Sequence, residues 1–158
     1  MKIKFLKAYE GDSILISYDN LVNDTIVKRN ILIDGGIGNT YFDSDEDEPG
    51  DLKINIDLLR EKDEKIDLLI VTHIDDDHIG GILKWFAKDP NAFEMIGKVW
   101  FNSGKLIGEY FKEAYIFDKD HEPETIKLEF GNNLNVSAKQ GVTFENYITE
   151  KKIWKKKS

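Results

Sequence analysis

The chain predicts an α/β fold, and three observations carry the prediction. A strand-rich N-terminal third gives way, beyond the acidic stretch at 43–51, to alternating helical and extended patterns. The run Ile66-Asp67-Leu68-Leu69-Ile70-Val71-Thr72 is short, apolar and β-branched, and so reads as a strand covered on both faces. Directly after it comes His73-Ile74-Asp75-Asp76-Asp77-His78-Ile79-Gly80-Gly81, a polar segment set on a rigid strand end.

The elements follow in order. Lys2 to Ala8, Ser13 to Tyr18 and Thr25 to Asp34 are extended, and the turns between them (Glu10-Gly11-Asp12 and the polar stretch Asn20 to Asp24) are short enough for hairpins, which makes an antiparallel meander. Leu52, Ile56 and Leu59 recur at helical spacing, so 52–63 should be a helix. Strand 66–72 and the polar segment come next. A helix from Gly80 to Lys88 then carries Ile82, Leu83, Trp85 and Phe86, points its N-terminus at the polar segment, and is ended by Asp89-Pro90. Lys98 to Asn102 reads as a strand, and Leu106 to Tyr115 as a helix with Tyr110 and Phe111 on its apolar face. Thr143 is a plausible N-cap for a last helix through Phe144, Tyr147, Ile148 and Trp154.

At 158 residues the chain can bury one core, and no repeat or linker divides it. No apolar run approaches the roughly 18 residues that span a bilayer, and Met1-Lys2-Ile3-Lys4-Phe5 is a strand pattern rather than a signal peptide. With no cysteine there are no disulfides or thiolate ligands, and a cytoplasmic protein is the default expectation. The net charge of -8 argues against a broad nucleic-acid-binding surface. It leaves room for a nuclease whose bound cations meet the phosphate. Acidic residues crowd 43–51, which reads as a solvated, mobile insertion or, more sharply, a calcium loop, while lysines crowd 151–157.

Two imidazoles and three carboxylates within 73–78 would repel or stay unsatisfied without a cation. Neutral imidazole and carboxylate oxygen are the usual ligands of zinc, manganese and iron. A solvated acidic turn opening a helix would need neither both histidines nor the Gly-Gly that follows.

These residues bring a family into view. The segment resembles the metal-binding loop of the metallo-β-lactamase superfamily, His-x-His-x-Asp-His, with His73, Asp77 and His78 in place and Asp75 where the second histidine is usual. The His-x-Asp-x-Asp-His version followed by Ile-Gly-Gly is similar to the branch containing the metallo-hydrolase domain of the bacterial competence DNA-uptake channel. Gly11-Asp12-Ser13-Ile14-Leu15-Ile16 resembles the early Gly-Asp hairpin of that branch, Ile31-Leu32-Ile33-Asp34-Gly35-Gly36 the turn beside its metal loop, and Asn135 to Gly141 a stretch of distant members.

The resemblance implies a four-layer αββα sandwich and a hydrolase using one or two divalent ions, zinc or manganese. It implies that His73 and Asp75 serve one ion, Asp77 and His78 a second, that Asp77 is the catalytic carboxylate, and that Asp76 points elsewhere. Ions about 3.5–4 Å apart activate bridging water. The Asp75 carboxylate, a harder donor than imidazole, favours manganese or magnesium over zinc and a phosphodiester, nucleic acid included, over a lactam or thioester. Asp34 is expected to orient the loop from behind, or else merely to form the turn before Gly35-Gly36. Asp12 is either a site residue or a hairpin residue.

Superfamily members complete their sites with later histidines and a bridging aspartate. Here only His121 remains, in a setting that reads as an exposed loop. The chain therefore corresponds to the N-terminal half of the fold, as part of a longer hydrolase, as a shortened remnant serving as an interaction module, or as a subunit completed by another chain. Weak metal binding, slight or absent catalysis, no membrane association, and self-association through central strands and the helix faces at Trp85, Phe86, Tyr110 and Phe111 are the expectations.

Overall fold

In the computed structural model, which describes residues 1–101 and 136–150, strands β1 (Lys2–Phe5), β2 (Ile14–Val22) and β3 (Thr25–Ile33) form the expected antiparallel meander. The β2–β3 turn is the two residues Asn23 and Asp24, both at positive φ (48° and 61°), which suits the right-handed twist of the flanking strands. Helix α1 (Gly38–Tyr41), a small hairpin of β4 (Phe42–Asp43) and β5 (Glu48–Pro49), and α2 (Asp51–Glu61) lead to β6 (Leu68–Val71), which pairs parallel to β3. Helix α3 (Asp76–Lys88) and a 3-10 turn (Ala92–Met95) lead to β7 (Val99–Phe101), parallel to β6. The five-stranded order is β1-β2-β3-β6-β7, and α4 (Val136–Glu150) packs against α3.

Alternation along the strands sorts their side chains. Leu15, Leu32, Leu69, Val71, Val99 and Phe101 are buried in one core with Leu52, Ile56 and Leu59 of α2, Ile79, Ile82, Trp85 and Phe86 of α3, and Phe144 and Ile148 of α4. The α/β class is as expected. Of the four-layer sandwich, the described residues form one sheet with its helical cover.

Several expectations need correction. Strand β6 is covered on one face only, with Leu68 and Ile70 half-buried on the other. Trp85 and Phe86, 0% and 5% exposed, need no second molecule. Tyr41 stacks on Trp85, and Phe93, Phe144 and Tyr147 surround Phe86, because α4 reaches back over α3. Helix α4 starts at Val136, so Thr143 lies inside it rather than capping it. Helix α3 starts at Asp76, four residues before Gly80, because the acidic residues Asp76 and Asp77 favour the positive end of the helix dipole. The acidic stretch is solvent-exposed, as expected, and forms a hairpin: Asp43 accepts from the amides of Asp45 (3.1 Å) and Glu46 (3.4 Å), and Asp47 takes φ 55°. The helix 106–115, His121, Trp154 and the C-terminal lysines lie outside the described residues.

Candidate metal centre

The centre is assembled from backbone before side chains. Beyond β3 the parallel ladder continues with Asp34 N–H donating to Ile70 O (2.9 Å), and the chain then turns through Asp34 at φ 54°. Gly35 N–H donates to His78 O (2.7 Å), Gly81 N–H to Gly36 O (2.8 Å), and Gly36 N–H to Asp12 O (2.8 Å). Gly11, at φ 76°, lies so close that a Cβ there would come within 1.8 Å of Asp77 O. The three segments singled out in the sequence are thus one interlocked unit, and Asp12 enters it through its carbonyl.

Asp34 is 1% exposed. Its Oδ1 accepts from Thr72 N–H (2.8 Å), and its Oδ2 accepts from Thr72 Oγ1 (2.5 Å) and lies 3.0 Å from His78 Nδ1. A carboxylate there makes Nδ1 the protonated nitrogen of neutral His78 and leaves the Nε2 lone pair for a cation, the arrangement by which outer carboxylates orient histidine ligands. Burial pushes the His78 pKa down, but the hydrogen bond and charge of Asp34, helped by Asp77 and Asp12, outweigh it and the net displacement is upward.

The other side chains lie nearby. His78 Nε2 is 3.6 Å from Asp77 Oδ2, and His73 Nδ1 is 3.0 Å from Asp75 Oδ2. The two imidazoles meet edge to face with centroids 5.6 Å apart, His73 far more exposed than His78. Among the described residues no three histidine or acidic side chains converge as a ready metal cage, the acidic hairpin included. The donor chemistry nevertheless fits a divalent ion: adjacent imidazoles, one held in the right tautomer from behind, with a carboxylate beside each. Asp76 turns away, its Oδ1 accepting from Gln140 Nε2 at 2.5 Å.

Sequence reasoning missed Thr72 and Gln140 as partners of the centre. Thr72 carries no motif of its own, whereas Gln140 belongs to the stretch Asn135 to Gly141 that already stood out.

A strand-end loop with paired imidazoles and carboxylates, locked by a buried aspartate, is thus the candidate metal centre of the chain. Residues 18–144 match the family model of the metallo-beta-lactamase superfamily, and the chain belongs to that superfamily, whose members are commonly metal-dependent hydrolases and usually bind divalent metals such as zinc. No curated protein and no solved structure matches the chain.

Proposed function

We propose that the protein is a metal-dependent hydrolase of phosphodiester or related bonds, of the branch similar to the metallo-hydrolase domain of the competence DNA-uptake channel. The observation that carries this is the Asp34–His78 contact, which aims His78 Nε2 outward beside Asp77. His73 and Asp75 would hold one ion and Asp77 and His78 a second, with Asp77 as the catalytic carboxylate that would orient the attacking water. When bound, the ions polarise the scissile group and make water nucleophilic near neutral pH. Asp75 in place of imidazole favours manganese over zinc. A cytoplasmic setting belongs to the same proposal, and among the described residues no helix is long and apolar enough to cross a membrane. That no three donors converge among the described residues favours one second reading, a scaffold that has lost catalysis.

Hydrolysis of bis(4-nitrophenyl) phosphate tests the proposal. The expected result is slow turnover that manganese stimulates about tenfold or more over chelator, lost in His78→Ala. A rate indifferent to chelation contradicts it.

We also infer a homo-oligomer, but not through Trp85 and Phe86. The sheet face away from the core carries Ile3, Phe5 and Trp100, exposed at 48%, 78% and 53%, together with half-buried Ile14, Ile16, Ile31, Ile33, Leu68 and Ile70. The register aligns these into the rows Phe5-Ile14-Ile33-Ile70-Trp100 and Ile3-Ile16-Ile31-Leu68. A second copy supplies a matching uncharged face, and a stable interface needs about 800 Å² from each partner. Light scattering at micromolar concentration should report a dimer for the wild type and a monomer for Phe5→Glu with Trp100→Glu. A monomeric wild type overturns the inference.

A further inference from the structure

We propose that Gln140 is the positioning residue of the metal-binding loop: its amide, delivered by α4, grips the Asp76 carboxylate and so fixes the first turn of α3, where Asp77 and His78 stand. The inference rests on the metal-centre reading for its purpose, but on the geometry of α4 for its substance.

Gln140, Phe144 and Ile148 follow one another at four-residue spacing, on one stripe of α4. Phe144 and Ile148 are fully buried, Phe144 between the rings of Phe86 and Phe101. At the next position toward the N-terminus the stripe changes from apolar to amide, and this is where α4 passes over the loop. Gln140 Nε2 there donates to Asp76 Oδ1 at 2.5 Å, across 64 positions of sequence. Gly141 lets the helix come this near, since a Cβ at that position would stand 3.0 Å from Ile74 Cγ2. Gly80 does the same from the other side, where a Cβ would meet Asp76 Oδ1 at 2.7 Å.

The carboxylate also decides which way the amide faces. A flipped Gln140 would set a carbonyl against a carboxylate, acceptor against acceptor, so Nε2 must face Asp76. Its Oε1 is then left buried with no hydrogen-bond partner among the described residues. A fully exposed glutamine would avoid that cost by turning to water; Gln140 is half-buried, and its amide stays on the exposed Asp76 carboxylate at the loop surface. Asp76 favours the helix dipole wherever its side chain points, so dipole stabilisation alone requires no partner from α4. The contact instead makes the third carboxylate of the loop a tether and leaves the flanking Asp75 and Asp77 for the cation.

The test compares wild type, Gln140→Ala, Gln140→Glu and the exchanged pair Asp76→Asn with Gln140→Glu, in which an amide again meets a carboxylate. Amide hydrogen exchange of residues 73–79 without metal, manganese affinity by calorimetry and the thermal midpoint are read for each. Gln140→Ala should speed loop exchange and weaken manganese binding, each by about tenfold, while the midpoint stays near wild type because Phe144 and Ile148 still anchor α4. Gln140→Glu, placing two carboxylates together, should do at least as much harm, and the exchanged pair should recover most of both losses. Loop exchange and affinity unmoved in Gln140→Ala, or no recovery in a folded exchanged pair, overturns the proposal. If the wild type binds no manganese, the metal-centre reading fails, and loop exchange alone decides the role of Gln140.

Discussion

Asp34→Ala is expected to destabilise the protein by about 3 kcal/mol, because it removes a buried acceptor that ties Thr72 and His78 to the end of β3 and leaves a non-glycine residue in a left-handed turn. The carboxylate is 1% exposed and accepts from Thr72 N–H at 2.8 Å and from Thr72 Oγ1 at 2.5 Å, with His78 Nδ1 at 3.0 Å. Alanine keeps none of these, and at φ 54° it also lacks the polar side chain that makes this conformation tolerable for aspartate. Asp34→Asn should cost about half as much, since it keeps one acceptor oxygen and the backbone tolerance. Urea unfolding of the three proteins measures this. A loss below about 1 kcal/mol for alanine means that the turn, and not the carboxylate, holds β3, β6 and α3 together.

Gly81→Ala should be equally damaging, by a different cause. A Cβ at Gly81 would stand 2.1 Å from Gly35 O, and Gly81 N–H donates to Gly36 O at 2.8 Å, so backbone faces backbone with no side chain free to move aside. Separating α3 from the Asp34 turn should cost about 3 kcal/mol or more. Gly80→Ala is the internal comparison. Its Cβ would meet the Asp76 carboxylate, which can rotate, and the backbone N of Gly38 at 3.1 Å, which needs a shift of only a few tenths of an ångström; alanine gains up to about 1 kcal/mol of helix propensity, so the net loss should stay within about 1 kcal/mol. Equal thermal midpoints for the two variants would show that the close approach at Gly81 is not what selects glycine there.

Both variants probe features that the sequence shows unequally. The meander was legible because alternation and turn residues are local, and α2 because Leu52, Ile56 and Leu59 declare a helical face. Residues His73 to His78 were legible as a unit because their chemistry is dense and contiguous. Gly35-Gly36 and Gly80-Gly81 stood out as pairs, yet nothing in the sequence says that one pair packs against the other. The start of α3 was misplaced because Asp76, Asp77 and His78 were read as loop chemistry, when acidic residues are equally at home in a first helical turn. Thr72, Gln140 and the burial of Trp85 and Phe86 beneath α4 are consequences of tertiary approach between distant segments, to which periodicity is blind. The apolar open face was legible only in part for the same reason: the central strands are expected to need a cover, whereas Trp85 and Phe86 are buried and strand 66–72 is covered on one face rather than two.

Manganese titration by calorimetry, on the wild type and on His73→Ala combined with His78→Ala, tests the metal centre most directly. With donors that lie close but do not yet converge, binding to the wild type should be weak, with Kd about 10–100 μM, tightening as pH rises through neutrality because His78 must give up a proton that Asp34 helps it to keep. The double substitution should abolish it. Manganese heat that survives the loss of both imidazoles, or a wild type that shows none at millimolar manganese, would contradict a cation site at His73, Asp75, Asp77 and His78.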